Sequence, residues 1–147
     1  LNRGVSGTKT IDLINYKDRL ISPYHPKQIF VYEGDNDIGY QWTPDEILEQ
    51  IKRLFFILRK EKPEAEIIFI SIKPSVRRLK DKERIEQTNA LIKEFVEQQM
   101  NTAYADVYNP MFTPKGELFP EHYREDGLHL TAEGYAVWKE VISKYIK

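Results

Sequence analysis

Short apolar runs rich in β-forming residues alternate along this chain with longer segments of helical periodicity. The apolar runs cover residues 28–33, 67–70 and 104–108, and a helical pattern lies before the first run and after each of them. Because parallel neighbouring strands need crossover connections, the alternation predicts a parallel β-sheet with helices on both faces, an α/β fold. In such a sheet the ligand crevice lies outside the carboxyl ends of the strands, so residues that follow a strand are the candidates for function.

Helix boundaries are predicted from apolar spacing, capping residues and prolines. The clearest signal is Thr43-Pro44-Asp45-Glu46, a capping box with proline at the first helical position, which opens a helix that should end before Pro63. Residues 1–8 are expected to be a strand end running into a loop, and residues 109–124 a long loop. Three further helices are predicted, over residues 10–20, 81–100 and 131–145.

Composition excludes several classes of function. A chain of 147 residues with 41% hydrophobic residues suits one domain with a real core. Its 22 basic and 23 acidic residues are interspersed, so the chain lacks the positive electrostatic field that would attract nucleic acid. Because cysteine is absent, there is no disulfide, thiolate nucleophile or cysteine metal site. No apolar run approaches the roughly 20 residues that span a bilayer. No secretory signal is visible, but the chain begins at Leu1, so its cellular location stays open.

Asp126-Gly127-Leu128-His129 is the most suggestive short motif. A carboxylate three residues before a histidine can hydrogen-bond one ring nitrogen, fix the tautomer and leave the other nitrogen free as a base. The alternative is that Asp126 simply starts a turn ahead of the helix that Thr131 caps. The motif alone supports both interpretations equally.

Two other strand-end segments are expected to meet this pair in one crevice. Gly34-Asp35-Asn36-Asp37 follows the strand that ends at Glu33, and Gly4-Val5-Ser6-Gly7 lies near the chain start. An asparagine side-chain amide and a glycine N–H are suitable donors to an oxyanion, so Asn36 and Gly7 are candidates for that role. Taken singly, Asn36 could be only a turn residue and Gly7 only a helix-entry glycine.

Together these segments carry a resemblance to a known superfamily. Residues 2–7, 34–37 and 126–129, in this order, resemble the second, third and fifth sequence blocks of the SGNH (GDSL-type) esterases. Residues 70–74 and 109–112 also resemble the branch similar to platelet-activating-factor acetylhydrolases. The resemblance runs across nearly the whole chain.

The resemblance implies a flavodoxin-like three-layer α/β/α domain and a cofactor-free, metal-free serine esterase that acts through an acyl-enzyme. It implies that His129 is general base and then acid, that Asp126 orients it, and that Gly7 and Asn36 help to form the oxyanion hole. The implied partner is a small acyl ester, such as an acetylated sugar or a lipid-like ester. The sequence does not reveal the oligomeric state.

The sequence departs from the family at the nucleophile. In this family a serine lies in a Gly-Asp-Ser block after the first strand, and no such block occurs in the 147 residues. Either a first strand and helix are missing upstream of Leu1, or the lineage has lost its nucleophile. In both cases we expect the chain alone to be inactive. Ser6 is a rival nucleophile, although Gly4-Val5-Ser6-Gly7 falls one residue short of a Gly-x-Ser-x-Gly elbow. Ser71 and Ser75 are better explained as loop residues.

Two other functions compete with the serine esterase. One is a metallohydrolase that uses His122, Asp126 and His129, whose spacing would align them on a helix, but Gly127 argues against a helix there. His25, the third histidine, lies far upstream. The other is a non-catalytic binding module on the same fold, which fold alone does not exclude.

Aromatic residues near the candidate site have two interpretations. Tyr40, Trp42 and the loop from Phe112 to Tyr123 could wall an acyl or sugar pocket. Packing inside the protein is the slightly better explanation, and the sequence does not identify the acyl group.

Overall fold

The computed structural model describes residues 1–147 and has a parallel sheet at its centre. Its strands lie in the order β1, β2, β3, and they are Gln28–Val31 (β1), Glu66–Ile70 (β2) and Thr102–Ala105 (β3). The α-helices are Thr10–Asn15 (α1), Lys17–Leu20 (α2), Asp35–Gly39 (α3), Pro44–Glu61 (α4), Lys82–Glu97 (α5) and Ala132–Ile142 (α6). Short 3₁₀ helices occupy Val76–Asp81, Asn109–Met111, Pro120–His122 and Ser143–Tyr145.

The sheet is covered on both faces, which confirms the predicted three-layer α/β/α arrangement. The main core cluster joins one face of β2, through Ile67 and Phe69, to buried residues of α4 and α5. A second cluster joins the opposite face, through Ile68 and Ile70, to α6. The central strand is thus buried on both sides, which is why its sequence is a continuous apolar run rather than an alternating one.

The predicted start of α4 is confirmed in atomic detail. The N–H of Glu46 donates to the Thr43 hydroxyl, and the N–H of Thr43 donates to the Glu46 carboxylate at 2.8 Å. The helix ends at Glu61, before Pro63, as predicted. None of the helices combines the length and the apolar character that crossing a bilayer requires.

Several predictions of local structure are wrong. The helix expected over residues 10–20 is two short helices that meet at Tyr16, whose φ of −98° and ψ of 10° depart from helical values. The first strand ends at Val31 rather than Glu33. Residues 1–9 contain no strand, and Gly7 lies in a turn with a left-handed φ of 77°.

The last strand is also shifted, from the predicted 104–108 to Thr102–Ala105. Beyond Ala105 the backbone donors bond side chains instead of a neighbouring strand. The N–H groups of Val107 and Tyr108 donate to the Ser71 hydroxyl at 2.9 and 3.0 Å. Because these N–H groups do not pair with a neighbouring strand, β3 ends even though the residues that follow are β-forming.

Candidate functional site

A cleft of about 470 Å³ opens at the carboxyl ends of β1 and β2, beside the N-terminal part of α6. This is where a parallel α/β sheet is expected to bind its ligand. It is lined by residues of four separate segments: Val5, Ser6, Gly7, Thr8, Tyr32, Glu33, Asp35, Asn36, Lys73, Leu128, His129, Leu130, Tyr135 and Trp138. The three segments that the sequence predicted to converge therefore meet in one cleft.

The Asp126 and His129 side chains form the predicted hydrogen bond. His129 Nδ1 lies 2.6 Å from Asp126 Oδ2, while Nε2 has no partner in the chain. The other carboxylate oxygen accepts the N–H groups of Leu128 and His129 at 2.8 and 2.9 Å. These bonds, with that to the His129 ring first among them, hold the pKa of Asp126 far below its ordinary range. The ionised Asp126 can therefore keep the proton on Nδ1 and leave Nε2 as an acceptor.

A tight turn presents this pair to the cleft. Tyr123 and Leu130 form an isolated antiparallel bridge, and the N–H of Arg124 donates to the His129 carbonyl at 2.8 Å. Gly127 within the turn has a φ of 63°, a left-handed conformation that favours glycine. Asp126 therefore both builds the turn and hydrogen-bonds the His129 ring.

Asn36 and Gly7 line the same cleft as His129. The Asn36 side-chain amide donates to the Thr8 carbonyl at 2.8 Å, which orients it and leaves its second N–H available. The N–H of Gly7 makes no hydrogen bond within the chain. Two unused N–H donors thus belong to residues that line the cleft.

Glu33 is a cleft residue that the sequence analysis did not single out. Its side chain is buried, and the Thr8 hydroxyl donates to it at 3.1 Å. Burial raises the pKa of Glu33 from 4.5 to about 8, with further upward contributions from Asp37 and Asp12. Glu33 is therefore largely protonated at neutral pH, and the cleft carries less negative charge than its composition indicates.

Lys73 and an aromatic wall were also missed. Lys73 follows β2 and Tyr32 follows β1, so the rule that strand ends line the crevice could have found both. Trp138 contacts Tyr32 edge to face, with ring centroids 4.8 Å apart, and it contacts Tyr135 edge to face at 6.2 Å. Only the tertiary structure brings the α6 aromatics to this cleft, because their helical spacing also suits a core face.

The aromatic residues that the sequence suggested as pocket walls lie outside the cleft. Tyr40 is exposed and lies under the Lys9 ammonium, while Trp42 packs on the main core. Phe112 packs on Tyr108 with ring centroids 5.1 Å apart. None of them lines the cleft.

The serines differ sharply in their surroundings. Ser6 lines the cleft and is exposed, but it makes no hydrogen bond to His129. Ser71 is fully buried and accepts two backbone N–H groups, and Ser75 is buried away from the cleft. The loop interpretation of Ser71 and Ser75 therefore fits the structure.

The proposed metal ligands do not form a metal site. His122 lies in a 3₁₀ helix against the Phe119 ring, whereas Asp126 and His129 lie in the turn and bond each other. Nowhere in the chain do three or more His, Cys, Asp or Glu side chains gather in an arrangement that could hold a metal ion. The helix that would have aligned the three ligands does not exist.

A comparison with known protein families covers most of the chain. Residues 1–137 match the GDSL-like Lipase/Acylhydrolase family. The chain belongs to this family. Its resemblance to SGNH esterases is therefore confirmed, and GDSL-type ester hydrolysis is the general activity of the group.

Solved structures share the fold. A Streptococcus pneumonia protein named as a platelet activating factor is 26% identical, with a TM-score of 0.88 over 99% of this chain and 71% of that one. A carbohydrate esterase family 3 structure from Talaromyces cellulolyticus is 21% identical, with a TM-score of 0.82 over 97% and 68%. A GDSL-like lipase from Bacteroides thetaiotaomicron is 20% identical, with a TM-score of 0.81 over 97% and 73%.

A curated relative is similar over the whole length of this chain. The N-acylneuraminate cytidylyltransferase of Escherichia coli is 22% identical over 99% of the chain. The chain spans only 35% of the length of that relative.

Proposed function

We propose that this GDSL-family chain provides the base and the oxyanion donors of a serine esterase that cleaves a small O-acyl ester. The observation that carries the proposal is the 2.6 Å contact between His129 Nδ1 and Asp126, which leaves Nε2 unpartnered on a residue of the cleft. Asn36 and Gly7, each with a free N–H, line the same cleft.

The proposed chemistry has two halves. His129 Nε2 removes the proton from a serine hydroxyl as that oxygen attacks the acyl carbon, while ionised Asp126 stabilises the imidazolium. The N–H groups of Asn36 and Gly7 stabilise the negative oxygen of the tetrahedral intermediate. His129 then protonates the leaving alcohol, and the same residues let water hydrolyse the acyl-serine.

We propose that the nucleophile is a serine outside these 147 residues, because the family's Gly-Asp-Ser block is absent from them. By this proposal the 147 residues alone are inactive. Ser6 is the alternative within the cleft, but no hydrogen bond joins it to His129. Assays therefore use both the 147-residue chain and the natural polypeptide in which it occurs.

The proposed substrate is a short acyl ester, with acetylated sugars as the first compounds to test. Support comes from the modest volume of the cleft and from its aromatic wall of Tyr32, Tyr135 and Trp138, on which an apolar or sugar face can pack. Several of the proteins with this fold are named as carbohydrate or acetyl esterases.

His129→Ala is the direct test of the base. We expect this variant of the natural polypeptide to lose hydrolysis of p-nitrophenyl acetate, since removing a triad member leaves only weak residual catalysis. Asp126→Asn should be severely impaired as well, because His129 loses its orientation. His25→Ala, which changes an exposed histidine outside the cleft, is the matched control and should keep full activity. Near-wild-type kcat in His129→Ala would disprove the assignment.

A fluorophosphonate probe locates the nucleophile. We expect peptide mass spectrometry to find the adduct on a serine outside the 147 residues, with no labelling of the short chain. An adduct on Ser6 would transfer the role to that residue. Absence of labelling in both forms would instead favour a non-catalytic binding module on this fold.

A further inference from the structure

A buried ion cluster lies beside Asn36. Asp35 accepts hydrogen bonds from Lys73 Nζ at 2.7 Å and from Arg78 Nε at 2.8 Å, one on each carboxylate oxygen. All three side chains are at most 15% exposed. Burial by itself would raise the pKa of Asp35, but the two cations outweigh burial and hold the pKa below its ordinary value. The cluster is therefore a fully charged, hydrogen-bonded unit.

The cluster helps to hold α3 in place. A five-residue helix has little stability of its own, so side chains from elsewhere must hold it in place. The Arg78 guanidinium packs directly on Gly39, where an added Cβ would lie 2.9 Å from Arg78 Cζ. Asp35 at the start of α3 and Gly39 at its end are thus both held by Arg78, and Asn36 lies between them.

The loop after β2 also holds the turn that carries His129. We name residues 73–78 the bridge segment, because it contains both cations of the cluster and contacts the turn. The Tyr123 hydroxyl donates to the Pro74 carbonyl at 3.0 Å. The N–H of Arg77 donates to the Gly127 carbonyl at 2.9 Å. One segment is therefore bonded to α3 by its side chains and to the 123–130 turn by its backbone.

We propose that the Asp35–Lys73–Arg78 cluster is a positioning device that fixes Asn36 relative to His129 through the bridge segment. Asp35 is a positioning residue, because its side chain makes no hydrogen bond to His129 or to the Asn36 side chain and instead bonds Lys73 and Arg78. The hydrogen bonds of the bridge segment support the structural coupling between α3 and the 123–130 turn. Its consequence for catalysis rests on the proposed function.

Two variants break the cluster in different ways. Asp35→Asn removes the carboxylate charge at nearly constant size. Gly39→Ala keeps every charge but displaces the Arg78 guanidinium, and alanine has the better helix propensity. Glu61→Gln is the control, because it weakens the Lys17–Glu61 ion pair, which is 3.0 Å long and lies outside the cleft.

Hydrogen exchange tests the coupling without any need for activity. In Asp35→Asn and in Gly39→Ala we expect faster amide exchange in peptides covering residues 73–79 and also residues 124–131. Glu61→Gln should leave both peptides unchanged. Because Asp35 makes no hydrogen bond to the 124–131 peptide, unchanged exchange there in both cluster variants would overturn the proposal.

Kinetics test the consequence for the site in the natural polypeptide. Misplacement of an oxyanion donor by about 1 Å can cost about 10²-fold in rate, so kcat should fall by about that factor while KM changes far less. A cluster that served stability alone would lower Tm without lowering kcat. Unchanged kcat in Gly39→Ala would therefore overturn the positioning role, whereas failure of the esterase assignment would appear separately in His129→Ala.

Discussion

Asp126 uses its two carboxylate oxygens for different purposes. One oxygen accepts two backbone N–H groups and builds the turn, while the other accepts the His129 ring. The residue that forms the turn therefore also aims the imidazole. Because one carboxylate serves both purposes, a four-residue motif can contain two members of a proposed triad.

Asn36 should show the kinetic behaviour of an oxyanion donor. Asn36→Ala is expected to lower kcat by about 10²-fold to 10³-fold with a much smaller change in KM, because the bond to the oxyanion forms mainly in the transition state. Steady-state kinetics on p-nitrophenyl acetate measure both parameters. A raised KM with unchanged kcat would instead identify Asn36 as a residue that only positions the substrate or builds the turn.

Glu33 should make stability depend on pH. Its folded pKa of about 8 lies above the unfolded value of 4.5, so the folded state binds more protons between these values. The free energy of unfolding should therefore fall as pH rises from about 4.5 to about 8, by at most about 1.4 kcal/mol per pH unit.

Glu33→Gln removes this titration and should flatten the profile while raising stability at pH 8. Urea denaturation of both proteins at pH 5, 6.5 and 8 measures the difference. If the free energy of unfolding depended equally on pH in both proteins, burial would not hold Glu33 protonated.

At the scale of elements, the long helix α4 depends on its capping box. Thr43→Ala removes the hydroxyl that accepts the Glu46 N–H and exposes that donor. We expect a loss of about 1 kcal/mol in the free energy of unfolding, measured by urea denaturation, with unchanged kinetics. Asp45→Ala, a change in the same turn that leaves the box intact, should cost less.

At the scale of the whole molecule, stability comes from the two cores on either side of the sheet. Ile51 on α4 is fully buried, so Ile51→Ala should lower the free energy of unfolding by about 2–5 kcal/mol. Phe56 on the same helix is 71% exposed, and Phe56→Ala should change stability by no more than about 0.5 kcal/mol. Equal losses in the two variants, measured by chemical denaturation, would contradict the described layers.

Much of this fold could be predicted because it follows from local rules. The Thr43 capping box and the apolar stripe of α4 depend on neighbours within a few turns, so spacing alone revealed them. The buried run of β2 and the Asp126–His129 pair are local in the same sense. The alternation of strands and helices then implied a parallel sheet, and with it the edge at which the cleft lies.

Other features depend on contacts between residues distant in sequence. β3 ends at Ala105 because Ser71 takes the next backbone donors, and no local pattern contains that bond. Glu33 acquires its raised pKa only when folding buries it beside Thr8 and near Asp37. The Asp35–Lys73–Arg78 cluster joins residues up to 43 positions apart. Sequence spacing thus determined the order of strands and helices and the pairing of Asp126 with His129. The burial and charge of the cleft were decided only when tertiary packing brought distant side chains together.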